Sequence, residues 1–410
     1  MTRHICVLAF ACACASAAAS AQAAQQDASV QTDEEPGSQA RFRIGALRFT
    51  PTLQVTNVGV DSNVFNNTTN TVQDTTGAVG PAVNLWLKMG KSRLSGKTSG
   101  QYIYFNKYDN QRAWNTANDG RWELPLSRLT PFVTGALSNT KDRPGYEIDS
   151  RVRQNFRSGG FGTSVRLSGK TNMVLTAQRA TTAFDDNDVF LGTRVANALN
   201  RRTDTEEMRV GFRLTPLTTF LVRAQATQER FDTESDRNAD TISVMPGFDL
   251  QPQALVSGSV FVGVKRFNAL RDQIPDFTGV VANVQAKYAA RSTLLDLRVA
   301  RDIAYSYQVQ QPYYAVTDVG VTITERVTTK WDLLARGGRQ AMAYRNLTTA
   351  TLASRTDRTW TGGGGVGYRL GPSVRIGFDA NYYRRTSSSV ALRDYTGFRF
   401  GASFSYGLTQ

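Results

Sequence analysis

The feature that most constrains this chain is its last stretch, Tyr395 to Leu408, reading YTGFRFGASFSYGL. Phe398, Phe400, Ala402, Phe404, Tyr406 and Leu408 are apolar, and between them stand Arg399, Gly401, Ser403, Ser405 and Gly407. A period of two gives an extended strand one greasy face and one wet face. In water such a strand would be an aggregation-prone edge, whereas in lipid it is stable only when paired on both sides, because no solvent satisfies its backbone there. The stretch therefore predicts the closing strand of a transmembrane β-barrel.

The amino end agrees. Arg3 precedes the apolar run from Ile5 to Ala19, followed by an A-x-A site at Ala21, Gln22 and Ala23. This predicts a signal peptide over residues 1–23 and export through the inner membrane. No later run approaches the roughly 20 apolar residues a helical span requires, so any membrane span must be β.

Cys6, Cys12, Cys14 and His4 all lie in that leader, and the remainder has neither Cys nor His. Disulfides, thiol nucleophiles, histidine bases and Cys- or His-based zinc sites are excluded together. So is any Ser-His-carboxylate site. Lipidation at Cys12 or Cys14 is disfavoured, because Ala9 and Ala11 stand where a lipobox wants Leu.

Without Arg3 the chain keeps 47 basic against 34 acidic side chains, a net charge of about +13. These charges are interspersed singly with no polybasic block, so no nucleic-acid partner is expected. Composition is 40% hydrophobic with 34 Gly, poor for a large soluble core but sufficient for a barrel, where only outward positions need be greasy.

Residues 24–43 are polar and aperiodic with a Pro-Gly pair, predicting a disordered periplasmic lead-in; the barrel is assigned to 44–410. Within it, eight tight connections fall near Ser92, Arg128, Gly169, Pro216, Pro252, Ala290, Arg326 and Pro372. They alternate with nine longer polar segments near 61–76, 106–113, 141–148, 185–203, 232–240, 268–276, 306–311, 345–355 and 385–394. The reading is all-β: a transmembrane antiparallel up-and-down barrel of about 18 strands, with Leu53–Val60 paired to the last strand. Phe105, Phe184, Phe231, Phe267, Tyr305, Tyr344 and Tyr383 recur just before long loops and are expected to form the outer aromatic girdle. A soluble propeller, whose repeats have similar spacing, lacks its blade signatures here.

Little else suggests chemistry. Gly362 to Gly365 lies in an alternating strand with no helix or GK[ST] after it, so close packing or room in the lumen is expected rather than a phosphate loop. Asp185-Asp186-Asn187-Asp188 lacks EF-hand spacing and is read as a solvated loop rather than a Ca²⁺ site. No cofactor, metal, catalytic residue or enzymatic activity is expected. With the apolar set facing lipid, the inward positions include Lys97, Arg121, Glu123, Arg209, Arg213, Arg223, Lys287, Asp296, Arg298, Asp332, Arg336, Arg375, Asp379 and Arg399. They either steer an anionic solute or pair with one another to stabilise the wall.

At the first strand and loop the chain reads Thr56-Asn57-Val58-Gly59-Val60-Asp61-Ser62-Asn63-Val64-Phe65. This G-x-D-[SD]-N-[VI]-[FY] run, behind a leader and a short acidic segment, resembles the opening of the bacterial putative β-barrel porin 2 family, and the remaining architecture is similar in length and rhythm. The end departs from many outer-membrane proteins, which finish on an aromatic residue, since Thr409 and Gln410 follow Leu408. Members often accompany capsule and exopolysaccharide synthesis genes. The resemblance thus implies a Gram-negative outer-membrane channel, either an exopolysaccharide exit or a diffusion pore for anionic or polar solutes. Implied partners are outer-membrane lipid, a saccharide or anionic solute, and periplasmic polysaccharide-export components. The rival reading is a non-conducting structural or surface-interaction barrel acting through its long loops. The Asp61-Ser62-Asn63 run is read as structural, its short side chains bonding their own backbone to set the first loop.

Overall fold

A computed structural model describes residues 37, 40–145, 147–389 and 393–407. The leader and residues 24–36 lie outside them, as does Leu408.

Strand follows strand because the two-residue period persists from end to end. A short strand β1 (Phe42–Ile44) folds back on β2 (Leu47–Asp61). Then come β3 (Asp74–Met89), β4 (Ser92–Phe105), β5 (Ala113–Glu123), β6 (Leu129–Asp142), β7 (Val152–Arg166) and β8 (Thr171–Phe184). A small hairpin of β9 (Val189–Phe190) and β10 (Thr193–Arg194) and a one-turn helix α1 (Val195–Leu199) follow. The wall resumes with β11 (Arg201–Thr215), β12 (Thr218–Phe231), β13 (Ala239–Leu250), β14 (Val256–Ala269), β15 (Phe277–Ala290) and β16 (Thr293–Tyr305). It is completed by β17 (Tyr313–Arg326), β18 (Trp331–Arg345), β19 (Thr356–Arg369), β20 (Val374–Ser387) and β21 (Tyr395–Tyr406).

Each wall strand is antiparallel to its chain neighbours, and β21 returns to β2, with Leu53 opposite Tyr406 and Val60 opposite Phe400. Eighteen strands thus close into a barrel with the expected partners at the seam. The short connections and long loops alternate where the sequence places them. At ~4.8 Å between strands and a tilt of ~40°, eighteen strands give a backbone diameter of about 36 Å.

The seam is specified locally. Asn57, at φ 55°, interrupts the ladder of β2 against both its neighbours. Gly59 then runs so close to β21 that a Cβ there would lie 2.1 Å from the Phe400 carbonyl oxygen. Asp61 accepts from the Asn63 amide at 3.0 Å and the Tyr383 hydroxyl at 2.9 Å and pairs with Arg399. Asn63 Nδ2 donates to the Thr396 carbonyl at 2.9 Å. The Asp61-Ser62-Asn63 run therefore sets the first loop and also fastens it to the last strand.

The aromatic girdle requires a correction. Phe105, Phe184, Phe231, Phe267 and Tyr344 are buried beneath the long loops, and Tyr383 bonds Asp61. Their positions carry inward parity: Phe105 follows the outward Tyr104, and Tyr383 follows the outward Tyr382. Outward aromatics at this end are instead Tyr104, Trp114, Trp360 and Tyr382.

Candidate lumen and its loop plug

The inward positions named from sequence share one face of the sheet, and most are neutralised within it. Glu207 lies between Arg209 at 2.7 Å and Arg223 at 3.6 Å. Arg298 pairs with Asp318 at 2.7 Å, Lys287 with Asp296 at 3.9 Å, and Arg121 with Glu123 at 3.4 Å. Arg336 meets Asp379 at 2.6 Å, Arg399 meets Asp61, and Lys97 stands opposite Asp119 in the ladder. Fully buried Asp332 binds Arg375 at 2.6 Å and Arg369 at 3.0 Å.

Two of these pairs reach from β18 to β20 across β19, and the glycines of β19 let them. A Cβ on Gly365 would meet Asp379 Oδ1 at 2.4 Å, and one on Gly367 would meet Arg375 Nη2 at 2.2 Å. The inward glycines of β19, Gly363, Gly365 and Gly367, thus make room for inward ion pairs.

Arg213 differs from the other named positions. It is exposed at the short-turn end and lines a cleft of about 190 Å³ with Arg128, Arg166, Lys170 and hydroxyls of Ser164, Thr130 and Thr219. Among the described residues no carboxylate lines this cleft. The first carboxylate beyond it in the ladder is Asp249, opposite Thr219. Arg128 and Lys170 belong to turns, where sequence period gives no orientation, and Arg166 ends β7, where glycines and polar residues blur the period; they were missed for those reasons.

At the other end the long loops turn inward and lock together. The connection 143–151 between β6 and β7 is too short to arch over the mouth, since nine residues out and back reach about 15 Å. It meets the β16–β17 loop from the nearly opposite side of the barrel and the β20–β21 connection. Glu147 accepts from Ser306 Oγ at 2.9 Å and from the Tyr307 amide at 3.1 Å, both on the β16–β17 loop. Its main-chain carbonyl accepts from Arg393 and Arg385. Asp149 is the hub: it accepts from Arg385 at 3.1 Å, Arg393 at 2.9 Å and Tyr395 at 3.0 Å. Arg385, fully buried, also holds Asp357 at 2.7 Å, and Arg143 donates to the Val64 carbonyl at 2.7 Å.

An apolar cluster underlies these bonds. Ile148 and Val152 pack with Phe184, Phe190, Val195, Leu199 and Tyr307, so α1 and the β8–β11 loop join the plug. Burial pushes the Glu147 carboxyl above its usual range, with the Ser306 bond and Arg393 opposing. Burial likewise lowers Arg151, beside Phe105 and Asp142, to about 10. Asp185 and Asp188 accept backbone amides of Asn187 and Arg153. Among the described residues no cluster of metal-ligating groups occurs. Loop acids carry no period, which is why Glu147 and Asp149 escaped the sequence reading.

The chain matches the family described as putative beta-barrel porin 2 over residues 35–406. It belongs to that family. The porin is accordingly an outer-membrane β-barrel of a Gram-negative bacterium, its long loops on the extracellular side. Among solved structures it is similar to an opdK outer-membrane protein from Pseudomonas aeruginosa, at 11% identity and a TM-score of 0.46, over 87% of this chain and 98% of that one. It is also similar to a BenF-like porin from Pseudomonas fluorescens Pf-5, at 11% identity and 0.45, over 88% and 99%. A siderophore receptor PirA from Pseudomonas aeruginosa follows at 9% identity and 0.43, over 88% and 80%. No curated protein matches the chain.

Proposed function

We propose that this porin conducts anionic, polar solutes, with an exopolysaccharide on its way out among the candidates, and that its extracellular loops control access. The observation carrying this reading is the unequal distribution of inward charge. Along the wall, the inward arginines have carboxylate partners, with Glu207 and Asp332 each shared by two, so their charge there is largely compensated. At the periplasmic mouth, Arg128, Arg166, Lys170 and Arg213 line a cleft with hydroxyls and no acid. Cations left without counter-charge at an aqueous entrance raise the local concentration of anions. The nine positions proposed to line the lumen are Arg209, Arg213, Arg223, Asp296, Arg298, Arg336, Arg375, Asp379 and Arg399. None of this requires a catalytic residue.

Planar-bilayer reversal potentials under a salt gradient test the proposal. The wild type is expected to favour Cl⁻ over K⁺, and replacing the four mouth cations by Gln is expected to reduce that preference. No current, or a selectivity indifferent to all four, would defeat it. The rival reading, a non-conducting barrel working through its loops, is favoured by the plug around Glu147 and Asp149. Deleting 144–150 separates the two, since a barrel sealed elsewhere stays silent.

A further inference from the structure

The outward face of β18–β20 carries charge where lipid would demand none. Arg339, Trp360 and Arg384 lie on one line across the three strands, paired in register, and Arg358 stands two residues beyond Trp360 towards the extracellular end. All four side chains are exposed, and the Arg339 guanidinium lies 4.9 Å from the Trp360 ring centroid. Among the described residues Arg358 and Arg384 make no hydrogen bond or ion pair; the paired outward positions flanking the group hold no carboxylate, and Asp394, just beyond the end of β21, accepts from the Ser387 amide.

At the same height elsewhere outward arginines are single or paired: Arg157 on β7 stands alone among the described residues, and Arg301 on β16 bonds the Val280 carbonyl and the Thr317 hydroxyl, each without a carboxylate. On β8 and β11, Arg179 and Arg202 share Asp204, and on β12 Arg230 is paired with Asp240 at 2.7 Å. There the protein neutralises its own outward arginines. On β18–β20 it leaves that to the surroundings.

The surroundings follow from the rows beneath. Below Trp360 the outward positions are apolar down to Trp331 and Tyr368, whose rings meet at 4.9 Å. Eight residues from Trp360 to Tyr368, at ~3.3 Å each and a ~40° tilt, span about 20 Å, close to the ~25 Å apolar band of such barrels. Trp360 therefore marks the outer-leaflet boundary, and the three guanidiniums lie in the headgroup layer. A guanidinium fork matches phosphate oxygens, and three cations so placed repel one another unless an anion sits between them.

We propose that Arg339, Arg358 and Arg384, with Trp360, bind a phosphate-bearing lipid headgroup of the outer leaflet. The acyl chains then lie on the apolar rows formed by Tyr382, Phe398 and Phe400. Seating beside those rows favours a lipid over a soluble anion.

The test is binding of fluorescent diphosphoryl lipid A to the full-length porin in zwitterionic detergent, each variant first shown folded by heat-modifiable gel migration. The triple variant R339Q/R358Q/R384Q is expected to bind about ten-fold more weakly. Its Lys counterpart, R339K/R358K/R384K, should retain most binding, and R179Q/R202Q should bind as wild type. Should the triple Gln variant fail to fold, R358Q and R384Q singly are each expected to weaken binding by about three-fold. Undiminished binding by the Gln variants, or an equal loss in R179Q/R202Q, would overturn the site. Equal binding of dephosphorylated lipid A, or full displacement by millimolar inorganic phosphate, would overturn the lipid-phosphate assignment.

Discussion

Removing the Asp149 carboxylate should open the extracellular mouth. Asp149 is the point at which the β6–β7 loop is tied to the β20–β21 side of the wall, through Arg385, Arg393 and Tyr395. Arg385 is fully buried and Arg393 nearly so, and Asp149→Ala leaves each with less counter-charge, although Asp357 still holds Arg385 and the Glu147 carbonyl still accepts from Arg393. Removing one partner of a buried ion pair typically costs about 3–5 kcal/mol. Here the loss falls on the closed arrangement, because in an open one the arginines are solvated. The closed-to-open ratio should therefore drop by about two to three and a half powers of ten, at ~1.4 kcal/mol per decade. Single-channel recording would show longer open dwell times or higher unitary conductance, and trypsin would reach Arg143 and Arg151 sooner. Asp149→Asn, which keeps two accepting lone pairs but no charge, should fall between. An Asp149→Ala barrel with unchanged conductance and unchanged proteolysis would refute the idea that this hub holds the plug.

Glu147 supplies a pH dependence of definite sign. Its carboxyl is raised in the plug by burial, so the closed arrangement holds its proton more tightly than an open one. That contribution to closure is complete below the ordinary carboxylate value of 4.5 and is lost as pH rises through the raised value, so open probability should increase with pH. Glu147→Gln should abolish that dependence, and recordings from pH 4 to 9 would show whether it does. Asp332→Ala, leaving Arg369 and Arg375 facing one another, should cost about 3–5 kcal/mol and lower the urea midpoint in detergent. Adding Arg375→Met should recover part of the loss, because an apolar replacement leaves one cation fewer unpaired. Gly59→Val drives a side chain into the Phe400 carbonyl at the seam and should reduce the heat-modifiable folded fraction on refolding.

The barrel was legible because lipid imposes a rule that every wall strand obeys: Phe398, Phe400 and Ala402 face out for the reason that Val244 and Val264 do. The same rule, followed to the strand ends, would have prevented the misplaced girdle, since Phe105 and Tyr383 fall on the wrong parity. Ion pairing was harder to read because it depends on register between strands. Arg336 and Asp379 are 43 positions apart in sequence, yet they face one another across a single intervening strand. One trace of the pairing does survive in the sequence. The intervening strand carries glycine at alternate inward positions, Gly363, Gly365 and Gly367, opposite Arg336, Asp379 and Asp332. A side chain at those positions would fill the space through which the guanidiniums reach, so an inward run of alternate glycines flanked by opposite charges marks a strand that ion pairs cross. The plug leaves no such trace. Glu147 and Asp149 stand in a loop without period, and their burial arises only because barrel closure brings β20, β21 and the β16–β17 loop to the same place.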